Sequence, residues 1–428
     1  MNRTSVTYYV SAAKGDDQNS GTARDVPFRT LNRINGIRLL PGDRVLLERG
    51  SVFHSQFLRI ESSGTEGQMI EIGAYGEGEL PCIDADGTGI WYQDYGTELD
   101  SPAHVYRGNV SSALLLYDAA YIAVRDLELT NRHPECSPEE YSRADKMDRT
   151  GVAVVARNRG TLRQIVLQGL MIHDVNGNVY NKHMNNGGIY MTALKPDREE
   201  LTGPARFDGV TVENCFVWRV SRWGIAVGYT YHHGMFADAH LEEEMFQQYG
   251  HEHIVLRGNY VKDAGGDAIT PMYTLRPLVE HNMADSCARE MNDEFYREPG
   301  ERMGKVAAGI WPWKCKDALF RFNEVTDMRL NQDGMAYDAD SGDGTVYEQN
   351  FSRQNEGGCV MFCLEQAVNS CFRNNVSYDD LGGILSPAGN PDAVVENNEF
   401  YVRPGVPLFR ERMSSGVVTM HKNHIFML

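Results

Sequence analysis

An asparagine placed just before a short β-run recurs through the second half of this sequence, at Asn214, Asn259, Asn282, Asn323, Asn350, Asn375, Asn398 and Asn423. The successive gaps are 45, 23, 41, 27, 25, 23 and 25 residues. Periods of roughly 20 to 50 residues mark stacked repeats. A step of 23 to 25 fits one turn of a parallel β-helix, and the longer gaps then carry insertions. Asparagine suits the role because it tolerates turn geometry and can hydrogen-bond to its neighbour in the next coil. The fold expected is all-β: a right-handed parallel β-helix occupying 1–428 as a single domain.

A glycine opens the following strand in each coil, at Gly224, Gly266, Gly309, Gly334, Gly358 and Gly383. With that glycine as zero, position +1 holds Ile225, Asp267, Ile310, Met335, Cys359 and Ile384, mostly interior types. Strand side chains alternate faces, so +2, +4 and +6 point outward. That places Trp311, Trp313, Asp338 and Asp340 on one outer face, together with Phe362 at +4 of the coil opened by Gly358. Neighbouring coils lie about 4.8 Å apart. Asp267 is the misfit of this register.

The first 60 residues read as a cap: a β-run, a Gly/Asp/Asn-rich loop, a short helix near 31–37, a Pro-Gly-Asp turn and a second β-run. A solenoid needs such a cap because its end coil exposes strand edges and apolar side chains. Insertions interrupt the rhythm near 84–112, 132–150, 229–253 and 284–306, the third with five histidines and a helix expected near 239–248. Long loops on one edge of a solenoid build groove walls.

A net charge of −18, from 41 basic and 59 acidic residues, argues against nucleic acid or an anionic membrane as the main partner. The eight cysteines show no paired zinc spacing and read as buried free thiols, which points to a reducing compartment. The sequence shows no signal-peptide pattern. The chain is therefore expected either in the cytosol or outside the cell with its signal removed. No apolar run approaches the roughly 18 residues of a membrane span.

The chemistry concentrates in NQDGMAYDAD (331–340), which follows GIWPWK (309–314) and precedes GGCVMFCLEQ (357–366). Asp338 and Asp340 occupy adjacent outward positions, about 6.6 Å apart by strand rise. Two carboxyls so placed can serve glycoside hydrolysis, one protonating the leaving oxygen and the other acting as nucleophile or base. Trp311, Trp313, Trp218, Trp223 and Tyr229 form a set of flat apolar surfaces for pyranose rings, with packing in the core or a loop the alternative for Trp218 and Trp223. Lys314, Asp267, Tyr273 and Glu365 lie at the edges of the same face, and His232 is the loop histidine placed to touch substrate. The histidine group lacks a metal-ligand spacing, so no metal ligands are assigned.

The cap resembles that of extracellular bacterial right-handed parallel β-helix proteins. Together with the asparagine ladder and the WPW…DGxxxDxD…NEGG progression, it resembles β-helix glycoside hydrolases, and among these the lacto-N-biosidase family of gut bacteria. That resemblance implies release of lacto-N-biose (Galβ1-3GlcNAc) from lacto-N-tetraose of human milk. It also implies two catalytic aspartates seven positions apart, which Asp333 and Asp340 match. By the same resemblance the mechanism is retaining, with Asp333 as acid/base and Asp340 as nucleophile. A helical chaperone-like partner and a bound calcium are implied as well. Strand parity alone pairs Asp338 with Asp340 instead. Two rival readings share the fold. One is a polysaccharide lyase or epimerase, with Lys314, Lys316, Arg321 or Arg329 supplying base and positive charge. The other is a non-catalytic carbohydrate-binding β-helix.

Overall fold

The computed structural model describes residues 4–100, 104–132, 147–178, 185–291, 305–330, 332–410 and 416–428. Three faces of parallel strands wind around one apolar core, which makes the chain a parallel β-helix. Among the described residues, one face is a 14-stranded sheet running from Thr7–Val10 to Val418–His421. A second is a 12-stranded sheet from Val52–His54 to His424–Met427. The third face is split. Seven strands reach from Leu58–Ile60 to Ile269–Pro271, and three more follow: Met335–Asp340, Gly358–Cys363 and Leu385–Ser386. Residues 309–316 span the gap with single bridges, Ile269 to Ile310 to Tyr337 and Met272 to Trp313 to Asp340. The three stretches singled out in the sequence therefore do occupy successive coils.

The asparagine ladder forms, but one rung differs from expectation. The Asn259 backbone N–H donates to Asn282 Oδ1 at 2.9 Å. Further links of 3.0, 2.9, 2.8, 2.8 and 3.0 Å pass through Asn323, Asn350, Asn375 and Asn398 to Asn423. The coil below contributes Cys215, whose N–H donates to Asn259 Oδ1 at 3.0 Å. Asn214 is not a rung. It sits one residue earlier, exposed, at φ 53°. The same left-handed corner precedes every rung, at Gly258, His281, Phe322, Gln349, Asn374, Asn397 and Lys422. Such a conformation costs a non-glycine residue roughly 1–2 kcal/mol, and the rung behind it offsets that cost.

Alternating charges line the outer side of the largest sheet and reinforce this stacking. Glu280 is bracketed by Arg257 (2.6 Å) and Arg321 (2.7 Å), Glu348 meets Arg373 (2.8 Å), and Glu396 meets His421 (2.6 Å). Exposed pairs of this kind add little energy each. A coil slipped by two residues along the strand would break the pairing.

The cap follows the expected outline. Its helix spans Leu31–Asn35 and buries Leu31 and Ile34. The Pro-Gly-Asp turn is closed by buried Asp43, which accepts from the backbone N–H of Val6 (2.8 Å) and Leu40 (2.9 Å). Two register details depart from the sequence reading. Ile225 pairs with Ile269, so Asp267 lies two residues ahead of its strand rather than within it. Asp338 pairs with Met361 and Asp340 with Cys363, so the Gly358 coil is shifted by one and Phe362 points into the core. Cys82, Cys215, Cys287, Cys315 and Cys359 are buried thiols, Cys363 and Cys371 are half-buried, and Cys136 lies outside the described residues.

Asn350 accepts from the backbone and side-chain N–H groups of Asn323 and donates to the Phe320 carbonyl and Asn375 Oδ1, all within 3.0 Å. Asn350→Ala strands several of these groups in a dry interior, and at roughly 1–3 kcal/mol each the loss should be about 2–5 kcal/mol. Asn214→Ala should cost only about 1 kcal/mol, as an alanine in a left-handed corner. Urea unfolding of the two variants checks the difference, and equal losses would contradict the assignment of the rungs.

Candidate active site

The strand Met335–Asp340 alternates as its sequence suggests. Met335, Tyr337 and Ala339 enter the core, while Asp338 and Asp340 face a cavity of about 950 Å³. Ligand pockets typically enclose roughly 300–1,000 Å³, so a short oligosaccharide fits. The strand is fixed from inside: Tyr337 Oη donates to the Phe351 carbonyl at 2.7 Å, and Tyr347 Oη to the Asp338 carbonyl at 2.8 Å. Asp338 is only 3% exposed. One carboxylate oxygen of Asp338, one of Asp340 and the Cys363 sulfur lie within 4.8 Å of one another. Ser341 Oγ donates to Asp340 Oδ1 at 2.9 Å.

Asp333 enters the same cavity from the segment before the strand. The chain turns there through Gly334 at φ 72°, and Arg410 Nη1 donates to the Asp333 carbonyl at 3.0 Å and to the Gly357 carbonyl at 3.1 Å. A side chain at Gly357 would come within 2.1 Å of the Asp333 carbonyl oxygen. The close approach of these two coils therefore requires glycine. All three aspartates are brought together.

Trp311 and Trp313 line the cavity, as expected, with rings 6.2 Å apart and nearly perpendicular. Although it points outward, Trp311 is only 4% exposed. Each indole is pinned: Trp311 Nε1 donates to Asp267 Oδ1 at 3.0 Å and Trp313 Nε1 to Tyr273 Oη at 2.8 Å. Tyr229 and Lys314 also line the cavity. Tyr273 stands fully buried behind it, so it reaches the site through Trp313 rather than directly.

Two expected residues are elsewhere. His232 Nε2 bonds to Glu199 Oε1 at 2.9 Å and its ring packs on Tyr231, away from the cavity lining. Glu365 points to solvent, because the strand ends at Cys363 and the chain turns away through Leu364 at φ 74°. Trp223 lines the cavity, whereas Trp218 lies on the second sheet, stacked between His173 (4.1 Å) and Phe216 (4.3 Å).

Sequence reasoning missed Asp100 and His104, which the first insertion carries to the end of the cavity. Asp100 accepts from Tyr229 Oη (2.6 Å) and Tyr273 Oη (3.0 Å), lies 2.9 Å from His104 Nδ1, and lies 3.9 Å from Lys314 Nζ. Burial alone would raise this carboxyl. The His104 contact, the Tyr229 hydroxyl and the Lys314 charge overcome it and hold Asp100 far below the ordinary carboxylate range. The third insertion, with a 3-10 turn at His233–Phe236 and a helix at Glu243–Tyr249, is tied down by Gln366 to the Ala237 carbonyl (2.8 Å) and by Asp343 to the Leu241 N–H (3.1 Å). Residues 133–146 and 292–304, within two of the other expected insertions, lie outside the described residues.

Among the described residues, the cluster able to gather around an ion is Asp338, Asp340 and Cys363. Calcium takes six to eight oxygen ligands, and two carboxylates with a thiol do not fit it.

No family model matches the sequence. Over 463 aligned positions the chain is 41% identical to the lacto-N-biosidase of Bifidobacterium longum subsp. longum, an alignment covering 98% of this chain and 28% of that protein. Crystal structures of the GH136 lacto-N-biosidase from Eubacterium ramulus superpose with TM-scores of 0.96 (selenomethionine derivative) and 0.95 (native). Identity to that protein is 58%, over 99% of this chain and 68% of that one. The chain thus spans less than a third of the curated relative and about two thirds of the solved one.

The Asp100 contacts have a pH signature. A carboxyl held below its unfolded value near 3.9 contributes stability that is present above that pH and is lost as pH falls below it. Asp100→Asn should lower stability by roughly 1–3 kcal/mol at neutral pH. The gap to the native chain should close on acidification below about pH 4. Thermal unfolding across pH checks this, and a gap that persists at low pH would contradict it.

Proposed function

As the chain belongs to the GH136 lacto-N-biosidase family, we propose that it is a glycoside hydrolase releasing lacto-N-biose (Galβ1-3GlcNAc) from lacto-N-tetraose-type oligosaccharides. The observation that carries this reading is the cavity shared by Asp333, Asp338, Asp340, Trp311 and Trp313. It provides carboxyl groups at the floor, where a glycosidic bond can be attacked and protonated, and indole surfaces at the wall, where pyranose rings can stack.

In the proposed mechanism Asp340 is the nucleophile. Its carboxylate attacks the anomeric carbon of the GlcNAc unit and displaces the leaving oxygen. Asp333 protonates that oxygen and then removes a proton from the water that hydrolyses the glycosyl-enzyme, so the anomeric configuration is retained. The seven-residue spacing shared with the family supports this pair. Asp338, nearly buried beside Asp340, is the supporting carboxyl. The alternative pair, Asp338 with Asp340, is favoured by their oxygens lying within 4.8 Å; retaining enzymes hold their carboxyls about 5–5.5 Å apart. A helical chaperone-like partner subunit is proposed on the family resemblance alone, and soluble, active chain expressed by itself would remove the need for one.

Asp340→Asn should lower kcat/KM by at least about 10⁴-fold on lacto-N-tetraose and on an aryl lacto-N-bioside alike. Asp333→Asn should lose roughly 10²–10⁴-fold on the oligosaccharide. It should lose much less in the first step with p-nitrophenolate, which departs without a proton. NMR of the fresh product should show the retained anomer, and activity should survive chelation by EDTA. An inverted product would end the retaining assignment, and an inactive Asp338→Asn beside an active Asp333→Asn would move the pair to Asp338 and Asp340. An ultraviolet-absorbing unsaturated product from a polyuronate would instead favour the lyase.

A further inference from the structure

We infer that Asp267 is a positioning residue: clasped by Arg222, it sets the Trp311 indole and the adjoining wall, residues 306–308, in the orientation that receives the sugar. This rests on the proposed carbohydrate site and deepens it. Asp267 and Arg222 are both fully buried, with Asp267 Oδ2 and Arg222 Nη2 3.7 Å apart. Asp267 Oδ1 accepts two bonds of 3.0 Å, one from the Trp311 indole N–H and one from the Ala308 backbone N–H. Arg222 Nη2 donates to the Val306 carbonyl at 2.9 Å, and its guanidinium lies 5.7 Å from the Trp223 ring centre. Val306, Ala308, Trp311 and Trp223 all line the cavity. One ion pair therefore grips both ends of the 306–311 wall and touches two of its aromatic surfaces.

The geometry says why a carboxylate serves here. An indole ring can turn about two side-chain torsions, and its N–H fixes both when the acceptor is itself immobile. A charged acceptor makes the bond roughly twice as strong as a neutral one. Placing Asp267 two residues before the strand Ile269–Pro271 puts its side chain beneath the next coil, where residues 308–311 pass. That explains the misfit seen in the glycine register: the position is not a distorted strand residue but a support reaching across one coil step.

A merely structural ion pair would change folding stability and leave substrate affinity coupled to nothing in particular. A positioning role makes its effect on affinity travel through Trp311. Asp267→Asn should raise KM for lacto-N-tetraose about tenfold with kcat changed less than about threefold. Trp311→Phe, which keeps the ion pair and removes the indole donor, should raise KM similarly. The double variant should then be within about twofold of the worse single variant, because both changes remove one device. KM effects that multiply, to about a hundredfold, would overturn the inference. NMR of the unliganded native chain gives a reading that needs neither activity nor the Asp267 variant to fold. The indole N–H signal assigned to Trp311 by its loss in Trp311→Phe should be downfield-shifted and protected from exchange. A rapidly exchanging, unshifted signal overturns the clasp. The shifted signal in a chain that neither binds nor cleaves lacto-N-biose derivatives would overturn the carbohydrate reading while upholding the clasp.

Discussion

Stacking of coils at one fixed spacing is the constraint from which the rest of this structure follows, and buried asparagine amides enforce it. Each rung accepts at its carbonyl oxygen from the coil before, and its amide group donates both to a backbone carbonyl of that coil and to the next rung, so a rung is satisfied only when both neighbours are in register. That reciprocity makes the ladder cooperative. It also explains the tolerance of residues such as Phe322 and Lys422 in left-handed corners, where the chain must turn sharply from one sheet to the next. The N-terminal coils do without asparagine and fill the same interior position with Leu127, Leu170 and Cys215. The polar ladder begins at Asn259, the coil just before the split in the third face.

That split makes the cavity. Where residues 309–316 cross with single bridges instead of a strand, the third sheet loses regular pairing, and Trp311, Trp313 and Lys314 are set beside Asp338 and Asp340 of the next coil. Side chains 24 to 29 residues apart in sequence thereby meet at one coil spacing. The first insertion adds Asp100 and His104 to the lining and the third adds Ala237; the third is fastened both by hydrogen bonds to coil residues and by packing of Phe236 on Phe246 and Tyr273.

Much of this was legible from the sequence, and the failures share a cause. Period and parity identified the solenoid, the outward tryptophans and the aspartate strand, because these depend on spacing within regular coils. Asn214 was misread by one position because asparagine suits both the corner and the rung, and Asn214 fills the first without the second. Phe362 was misplaced because the Gly358 coil starts one residue out of phase, and Glu365 because the strand ends before it in a left-handed turn at Leu364; no residue type announces either. Asp100, His104 and the true partners of His232 lie in insertions, where no repeat carries register and only the folded loop decides what meets what. Asp267 was flagged for the right reason, its clash with the pattern, although its place is behind the wall rather than in a strand.

Five aspartates surround one cavity in a chain that is already strongly acidic, and the donors around them divide the labour. Asp100 is engaged by two tyrosine hydroxyls, a histidine and a lysine; Asp267 by an indole, a backbone N–H and a buried arginine. Carboxylates so engaged are poorly placed to give or take a proton at a sugar. Their charge is committed to holding Trp313, through Tyr273, and Trp311. The exchange of protons in the proposed hydrolysis falls to the aspartates of the segment 333–340, whose backbone is held by Arg410 at one end and by Tyr337 and Tyr347 along the strand. Rigid backbone beneath the reacting carboxyls, with separate carboxylates fixing the aromatic wall, lets attack and sugar orientation be set independently. In a site assembled from different coils, that separation keeps a shift in one wall from disturbing the carboxyl geometry on the floor.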